Sequence, residues 1–219
     1  MQVLNSYSDL LFKMKKNHVL GTKGYREVLL KFIEATTAID FRELHKHFLQ
    51  FIPNQASRIL DVGAGMGRDA AVLSEMGHSV IAIEPTEEFR AAGKKLYGTQ
   101  SIVWVDDSLP ELQSLENQNN EFDFILASGV WHHLDHTEQY NSMMRISKLL
   151  SLNGIFALTL RHGPAGAGKH VFAIDRDQTI RDANSCGLTT LLAVRNQPSL
   201  MKNKEKVSWT KLVFQNSDI

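Results

Sequence analysis

The sequence predicts an α/β protein with a doubly wound, mostly parallel seven-stranded sheet, an antiparallel C-terminal hairpin and an N-terminal helical cap. Three observations support this prediction. From Arg58 onward, short apolar runs alternate with helical stretches, which is typical of a parallel sheet covered on both faces. The last two apolar runs follow each other across a polar stretch, as in a hairpin. Before Arg58, apolar residues recur at helical spacing instead.

The first part of the chain, residues 1–52, is expected to form a helical cap or lid. Its apolar residues fall at helical spacing in two stretches, from Tyr7 to Met14 and from Phe41 to Ile52. Two glycines between these stretches, Gly21 and Gly24, are expected to interrupt the helical region.

Residues 53–219 are expected to form one domain that contains the whole sheet. Its parallel strands are predicted from RILDVG, SVIAIE, SIVWVD, FDFILAS and GIFALTL, and its hairpin from LTTLLAVRN and VSWTKLVFQ, joined by LMKNKEK. Helices are predicted near Asp69–Met76, Glu87–Leu96 and Glu138–Leu150. Asn153-Gly154 is expected to stop the last of these helices and to turn the chain into the fifth strand.

Composition narrows the possible function classes. The 24 basic and 24 acidic side chains balance, so no overall charge would attract the chain to nucleic acid or to an anionic membrane. The single cysteine, Cys186, excludes an internal disulfide framework. Apolar runs stay short of the roughly 20 residues that cross a bilayer, and the first residues lack a signal peptide's apolar stretch. A cytoplasmic protein without a membrane partner is therefore expected.

A glycine-rich turn links the first predicted strand to the first helix of the domain, in the run Asp61-Val62-Gly63-Ala64-Gly65-Met66-Gly67. Such a turn lets a ligand approach backbone N–H groups at the carboxyl end of a sheet. The fingerprint for dinucleotides is G-x-G-x-x-G, but here the third glycine comes one residue early and Arg68 takes the last position. A nicotinamide or flavin cofactor is therefore disfavoured.

Carboxylates end three successive predicted strands. Asp61 would repel a pyrophosphate but suits a ligand that carries an ammonium and a sulfonium. Glu84 follows 23 residues after Asp61, where an acidic side chain can accept hydrogen bonds from both ribose hydroxyls. Asp106 and Asp107 close the third strand, where a carboxylate can accept from the exocyclic amine of an adenine. These groups point to an adenosine-containing ligand at one edge of the sheet.

This combination resembles the class I S-adenosylmethionine-dependent methyltransferases over about residues 56–215. Their motif D/E-x-G-x-G-x-G stands here as DVGAGMG, IEP is similar to the ribose motif, VDDSLPEL to the adenine motif, and LLSLNGIFALTL to the stretch through the fifth strand. The resemblance implies S-adenosyl-L-methionine as cofactor. The residues that it implies for cofactor binding are Asp61, Gly63, Ala64, Gly65, Arg68, Glu84, Pro85, Asp106, Asp107 and Ser128.

Within that set the resemblance assigns parts of the cofactor to particular residues. Gly63 and Gly65 would line the methionine moiety, and Glu84 would bind the ribose. Asp106 would contact the adenine, with Asp107 holding it through the backbone. The third strand ends Val-Asp-Asp where relatives often carry Gly-Asp-Ala, so the choice between the two aspartates stays open.

Histidines follow the fourth predicted strand in the run SGVWHHL. His132 or His133 could remove a proton from an attacking hydroxyl, amine or thiol, or could simply pack or cap the next helix. His132 and His136 have the i, i+4 spacing of metal ligands, but no general base completes a hydrolase motif, so no metal is expected. Arg161, after the fifth strand, could bind a substrate carboxylate or phosphate.

The segment GPAGAGKH at 163–170 is close to the sequence motif of a phosphate-binding loop. His170 stands where that motif needs a Ser or Thr hydroxyl for magnesium, and no helix follows at once. The segment is therefore interpreted as a substrate-side loop.

The favoured function is methyl transfer by in-line displacement from S-adenosylmethionine to a small-molecule acceptor. Two alternatives keep the fold: an RNA or protein side-chain acceptor, and a non-catalytic S-adenosylmethionine-binding regulatory protein. A nicotinamide-dependent oxidoreductase ranks last. The acceptor itself and the oligomeric state are not readable from the sequence.

Overall fold

The computed structural model describes residues 19–119 and 121–217, so the predicted helical stretch from Tyr7 to Met14 lies outside the described residues. Within the described residues, seven strands form one sheet in the order β3-β2-β1-β4-β5-β7-β6. The strands are β1 Arg58–Val62, β2 Ser79–Ile83, β3 Ile102–Val105, β4 Phe122–Ala127, β5 Leu150–His162, β6 Leu188–Pro198 and β7 Ser208–Asn216. All seven strand predictions are confirmed.

The strand pairings agree with the predicted division of the sheet into five parallel strands and an antiparallel C-terminal hairpin. β1 pairs in parallel with β2 and β4, β2 with β3, and β4 with β5. β7 runs antiparallel to both β5 and β6, so the C-terminal hairpin is inserted beside β5. The carboxyl ends of β1 to β5 thus share an edge with the start of β7.

Helices cover both faces of the sheet. They are α1 Leu29–Thr37, α2 Phe41–Leu44, α3 Arg68–Glu75, α4 Glu87–Leu96, α5 His136–Leu149 and α6 Arg176–Ser185. Short 3-10 turns lie at Leu20–Thr22, Arg26–Val28, Leu49–Phe51, Gln113–Leu115 and Trp131–His133. Alternate side chains of the strands enter two apolar clusters, one on each face: Leu158 and Leu212 belong to one, Ala157 and Val213 to the other.

The predicted turn at Asn153-Gly154 is wrong. β5 begins at Leu150, directly after α5, and Leu150 pairs with Phe122. The register then shifts, so that Ile155 pairs with Phe124. Asn153 lies among the extra residues of β5 between these two pairs and has a left-handed φ of 63°. The two residues form an irregularity inside a strand, since tertiary pairing extends the sheet past a local turn signal.

The helical spacing from Phe41 to Ile52 predicts a longer helix than the structure contains there. α2 has four residues, with Asp40 accepting the Glu43 N–H at 2.8 Å as its N-cap. Phe41, Phe48 and Ile52 are buried against the sheet nonetheless. Gly24, with φ 97°, follows the first 3-10 turn, so the predicted break in this region is confirmed. No helix among the described residues is long and apolar enough to span a bilayer.

Candidate active site

A cavity of about 780 Å³ opens at the carboxyl edge of the sheet. Its glycine-loop end lies over β1 and β2 and is lined by Gly63, Gly65, Arg68, Glu84, Pro85 and Thr86. Its hairpin end lies over β5 and β7 and is lined by Thr159, Arg161, residues 166–170, residues 199–201, Lys204, Val207, Trp209 and Lys211. Residues 128–134 after β4 lie between the two ends, and residues from the region 19–44 line the cavity as well.

Positive φ angles in the glycine loop explain its residue types. Gly63 has φ 69° and Gly65 has φ 56°, a left-handed region that side chains disfavour. A Cβ on Gly63 would stand 2.2 Å from Val130 Cγ2, whereas one on Gly65 would meet nothing within 4 Å. Gly63 therefore lets the segment after β4 pack on the loop, and Gly65 leaves backbone open toward the cavity.

The early third glycine has a packing cause. Gly67 caps α3 with φ 84°, and a Cβ there would stand 2.5 Å from the ring of Trp104 on β3. Gly93 on α4 meets the same ring at 2.4 Å. The indole occupies the space between the two helices, so glycine is required at 67 rather than at Arg68.

Glu84 sits at the end of β2, 6% exposed, with its carboxylate at the cavity wall. One oxygen accepts the Gly65 N–H at 2.9 Å, and the other accepts the Thr86 N–H at 2.7 Å. Burial raises the pKa of Glu84, although these donors and the nearby Arg90 favour the charged form. Each oxygen retains a lone pair for a further donor, as two neighbouring hydroxyls would supply.

Asp61 and Ala64 do not line the cavity. Asp61 lies beneath the glycine loop, 2% exposed, and accepts the Ala70 N–H, while its other oxygen has no partner among the described residues. Burial, together with the Asp69 and Glu84 charges, raises the pKa of Asp61 well above its usual range. The Ala64 N–H bonds to Ile83 O at 2.9 Å. Both residues therefore support the conformation of the glycine loop without lining the cavity.

Arg68 lines the cavity and ties it to the N-terminal region. Its Nε donates to Asp69 Oδ1 at 2.7 Å, and its Nη1 donates to the Thr36 carbonyl at 3.1 Å. His45 Nε2 meets the second oxygen of Asp69 at 2.9 Å. Burial alone would raise the pKa of Asp69, but His45 and Arg68 together hold it well below its usual range.

The two aspartates after β3 face different ways. Asp106 pairs with Arg90 Nη2 at 2.9 Å, is half exposed and does not line the cavity. Asp107 does line it, and its oxygens accept the N–H groups of Ser108 and Ser114. Of the predicted pair, Asp107 is the one positioned to contact a ligand.

His133 is held by two hydrogen bonds. Its Nδ1 donates to the His170 carbonyl at 2.7 Å, which leaves Nε2 to accept from the Tyr25 hydroxyl at 2.9 Å. Burial lowers the pKa of His133 and raises that of Tyr25 to about 12. Both ring nitrogens are occupied, so this side chain is arranged to fasten the N-terminal region and not to accept a proton.

His132 is buried beside His133, with ring centroids 4.0 Å apart, and its Nδ1 has no partner among the described residues. Burial and the His133 and Arg161 charges lower the pKa of His132 to about 2. His136 diverges from it: its side chain is 67% exposed, 3.8 Å from Asp182. Within the described residues, no group of three or more His, Cys, Asp and Glu side chains could hold a metal ion.

The loop GPAGAGKH folds over the cavity. Residues 166–170 line it, and the Lys169 N–H donates to Lys23 O at 2.8 Å. A Cβ on Gly168 would stand 2.3 Å from His133 Cε1, and one on Gly24 would stand 2.4 Å from Ala167 O. This close packing agrees with the interpretation as a substrate-side loop.

Arg161 and Ser128 line the cavity as predicted, and the structure adds three residues that sequence reasoning missed. These are Tyr25, Trp209 and Lys211. Trp209 and Lys211 are two residues apart on the last strand, and this spacing indicates that they share a face of the sheet. The sequence alone does not show that this face borders the cavity, because that depends on the pairing with β5. Tyr25 had no signal, since its partner His133 lies 108 residues away.

Comparison with known proteins gives a match to the family described as "Methyltransferase domain", at residues 60–158. An uncharacterized methyltransferase of Bacillus cytotoxicus is 26% identical over 128 residues, 56% of this chain. The match spans 58% of that relative's length.

Solved structures share the fold. The 1,6-didemethyltoxoflavin-N1-methyltransferase of Burkholderia thailandensis, with bound 1,6-didemethyltoxoflavin and S-adenosylhomocysteine, has a TM-score of 0.67 at 19% identity. The alignment covers 98% of this chain and 90% of that one. A putative sarcosine dimethylglycine methyltransferase from Galdieria sulphuraria has a TM-score of 0.63 at 17% identity, covering 88% of each chain.

Proposed function

We propose that this protein, whose residues 60–158 match the methyltransferase-domain family, is a class I S-adenosylmethionine-dependent methyltransferase that methylates a small-molecule acceptor. The observation that supports it best is the partly covered cavity, which joins a glycine loop and a buried carboxylate at one end to a separate basic end. Two ligands that react with each other would need such an arrangement.

The residues at the glycine-loop end fit S-adenosylmethionine. Glu84 has free lone pairs for two ribose hydroxyls, and the loop at Gly63 and Gly65 lines the cavity, with open space beside Gly65 for the methionine moiety. Asp107, Pro85 and Ser128 complete the proposed contacts, while Asp61, Ala64 and Asp106 would act from outside the cavity. When bound, this cofactor supplies a methyl group activated on a sulfonium.

The chain's own task is to position the acceptor and to exclude water. In-line displacement needs the reacting atoms held in line, and a closed site strengthens the electrostatic interactions that hold them. Tyr25, His133 and residues 166–170 form the proposed lid, with residues 1–52 as the cap. Both ring nitrogens of His133 are hydrogen-bonded, and burial lowers the pKa of His132 to about 2, so an acceptor that is already nucleophilic or anionic is favoured.

A small molecule is favoured over RNA or a protein side chain because the cavity is covered. The backbone bond between Lys169 and Lys23 closes the N-terminal region over the cavity, and a polymer would need that contact opened. A non-catalytic binding protein has the same cofactor contacts, and turnover separates it from an enzyme.

The test combines binding and turnover. S-adenosylmethionine should bind in calorimetry and raise the midpoint of thermal unfolding, whereas NAD should not. Release of S-adenosylhomocysteine should then be followed with a small-metabolite extract, with bulk tRNA and with unfolded protein as acceptors. We expect release with the extract; release with tRNA or protein alone would contradict the small-molecule proposal, and stabilisation by NAD alone would contradict the cofactor.

A further inference from the structure

We propose that the acceptor binds as a planar anion, held by Lys211 and Arg161 against the indole of Trp209. This inference rests on the proposed function and specifies the acceptor class of the same cavity. Its starting point is the pairing of β5 with β7, which brings four cavity-lining side chains together.

Register places these four residues on one face of the sheet. Thr159 stands opposite Lys211, and Arg161 opposite Trp209. Directly opposed side chains of antiparallel strands lie about 5 Å apart and diagonal ones about 7–8 Å. All four line the cavity, so the two cations can approach one ligand from neighbouring positions.

Lys211 is a buried cation without an ion-pair partner among the described residues. The charge of Asp69 acts on it from beyond 4 Å, and that carboxylate is already bonded to His45 and Arg68. Lys211 is 4% exposed, and its Nζ donates to the Leu44 carbonyl at 3.3 Å. No carboxylate lies within 4 Å of it in the described part of the chain. An ammonium has three donors and buried charges are normally paired, so the missing partner is expected to be a ligand. Burial lowers the pKa of Lys211 to about 8, which still leaves it mostly protonated at neutral pH.

Arg161 likewise forms no ion pair with an acidic side chain within residues 19–119 and 121–217. Its guanidinium donates to the carbonyls of Gly163 and Pro164, at 3.3 and 2.6 Å, so its position is fixed while its charge stays uncompensated. Five N–H donors in a planar fork leave several for a carboxylate or an enolate.

Charge differs between the two ends of the cavity. The hairpin end contributes Arg161, Lys169, Lys204 and Lys211 to the lining, and its lining residues include no Asp or Glu. Glu84 and Asp107 lie at the opposite side, each holding backbone N–H groups. An anionic acceptor is therefore attracted to the hairpin end and away from the carboxylates.

Trp209 supplies a flat apolar surface beside these cations. Lys211 Nζ stands 5.8 Å from its ring centroid, and the His132 ring meets it edge-on at 6.4 Å. Gly129 lies near the edge of the ring, where an added Cβ would stand 3.8 Å from Trp209 Cη2. A planar molecule could stack on the indole and place its charged edge on Lys211 and Arg161.

Matched pairs of planar probes test this inference in the presence of saturating S-adenosylhomocysteine. Quinoline-2-carboxylate is compared with quinoline-2-carboxamide, and salicylate with salicylamide, by calorimetry. In at least one pair the acid should bind about tenfold tighter than the amide or better, since hydrogen bonds to charged groups are the stronger ones. Lys211→Met should remove that preference, leave amide and S-adenosylhomocysteine affinities within about twofold, and keep or raise the unfolding midpoint of the free protein.

Lys202→Met is the matched control, because Lys202 is exposed and does not line the cavity. Loss of both acid and amide binding with a lowered unfolding midpoint in Lys211→Met would show a structural role and overturn the inference. Equal binding of acids and amides, or binding of neither in every pair, would overturn it too. Failure of S-adenosylhomocysteine to bind the wild-type protein would instead contradict the proposed function.

Discussion

The two ends of the cavity are built in different ways. The glycine-loop end comes from one short stretch of chain, in which Gly63 to Glu84 span a turn, a helix and a strand. The hairpin end combines β5, the loop 166–170 and β7 with the N-terminal region, which are separated by as many as 167 positions. The first carries one acidic and one basic side chain, Glu84 and Arg68, and is held by backbone bonds, whereas the second is basic and aromatic.

This difference shows where a site tolerates change. Binding one invariable ligand requires fixed backbone geometry, which local sequence can supply. The acceptor surface depends on side chains of strands and loops brought together by tertiary pairing, so it can vary without disturbing the cofactor end. Experiments that disturb one end should therefore leave the other largely intact.

Glu84→Ala should have the largest effect and should act on the glycine-loop end. Loss of two charge-assisted hydrogen bonds to the ribose, at about 1.5–3 kcal/mol each, predicts at least about a 100-fold weaker affinity for S-adenosylhomocysteine. Titration calorimetry measures it. Glu87→Gln, an exposed acid on the next helix, is the control and should bind normally. An unchanged affinity in Glu84→Ala would exclude the ribose role.

Gly63→Ala and Gly65→Ala form a matched pair within the same loop. Both force alanine into a left-handed φ, at about 1–2 kcal/mol each. Gly63→Ala also drives a methyl group into Val130, which adds about 1–3 kcal/mol. We expect urea unfolding to show the larger loss for Gly63→Ala. Equal losses would mean that the Val130 contact relaxes at no cost.

The sequence predicted the glycine-loop end well because its signals are local. The turn, the early glycine and Glu84 all lie within one strand-turn-helix-strand unit. The position of Asp106 was not predictable, since its partner Arg90 lies on another element and turns it away from the cavity. Lys211 and Tyr25 could not be assigned either, because each depends on a partner far along the chain.

Between the two ends of the cavity, a pH dependence of stability should follow from His132. The unfolded side chain titrates near 6.5, and burial lowers the pKa in the folded protein to about 2. Below pH 6.5 the unfolded state therefore binds a proton that the folded state does not. This contribution is absent above pH 6.5 and destabilises the fold by about 1.4 kcal/mol per pH unit below it, or about 2 kcal/mol at pH 5.

Urea unfolding of His132→Gln at pH 7, 6 and 5 measures this dependence. The variant should lose stability less steeply than the wild type as the pH falls. His136→Gln, at an exposed histidine, is the control and should retain the wild-type slope. Parallel slopes for wild type and His132→Gln would show that His132 takes up a proton in the folded protein.

Tyr25→Phe should have the smallest effect and should act on the lid alone. The change leaves His133 Nε2 without its donor while retaining the ring, which packs edge-on against Phe32 and Phe89. An unsatisfied buried acceptor costs about 1–3 kcal/mol, so local opening should become roughly 5 to 100 times more frequent. Hydrogen exchange at the Lys169 and Phe172 amides, which bond to Lys23 and His132, should accelerate accordingly.

Affinity for S-adenosylhomocysteine should stay within about twofold in Tyr25→Phe, because the hydroxyl is hydrogen-bonded to His133, whereas Glu84 is bonded to the Gly65 and Thr86 N–H groups. Tyr97→Phe is the matched control, since Tyr97 follows α4 and does not line the cavity, and its variant should leave exchange in residues 166–172 unchanged. If both amides of Tyr25→Phe exchange at the wild-type rate, the lid is held by backbone bonds and glycine packing alone. If cofactor affinity falls together with faster exchange, the two ends are coupled through Val130 and Gly63, and their independence is lost.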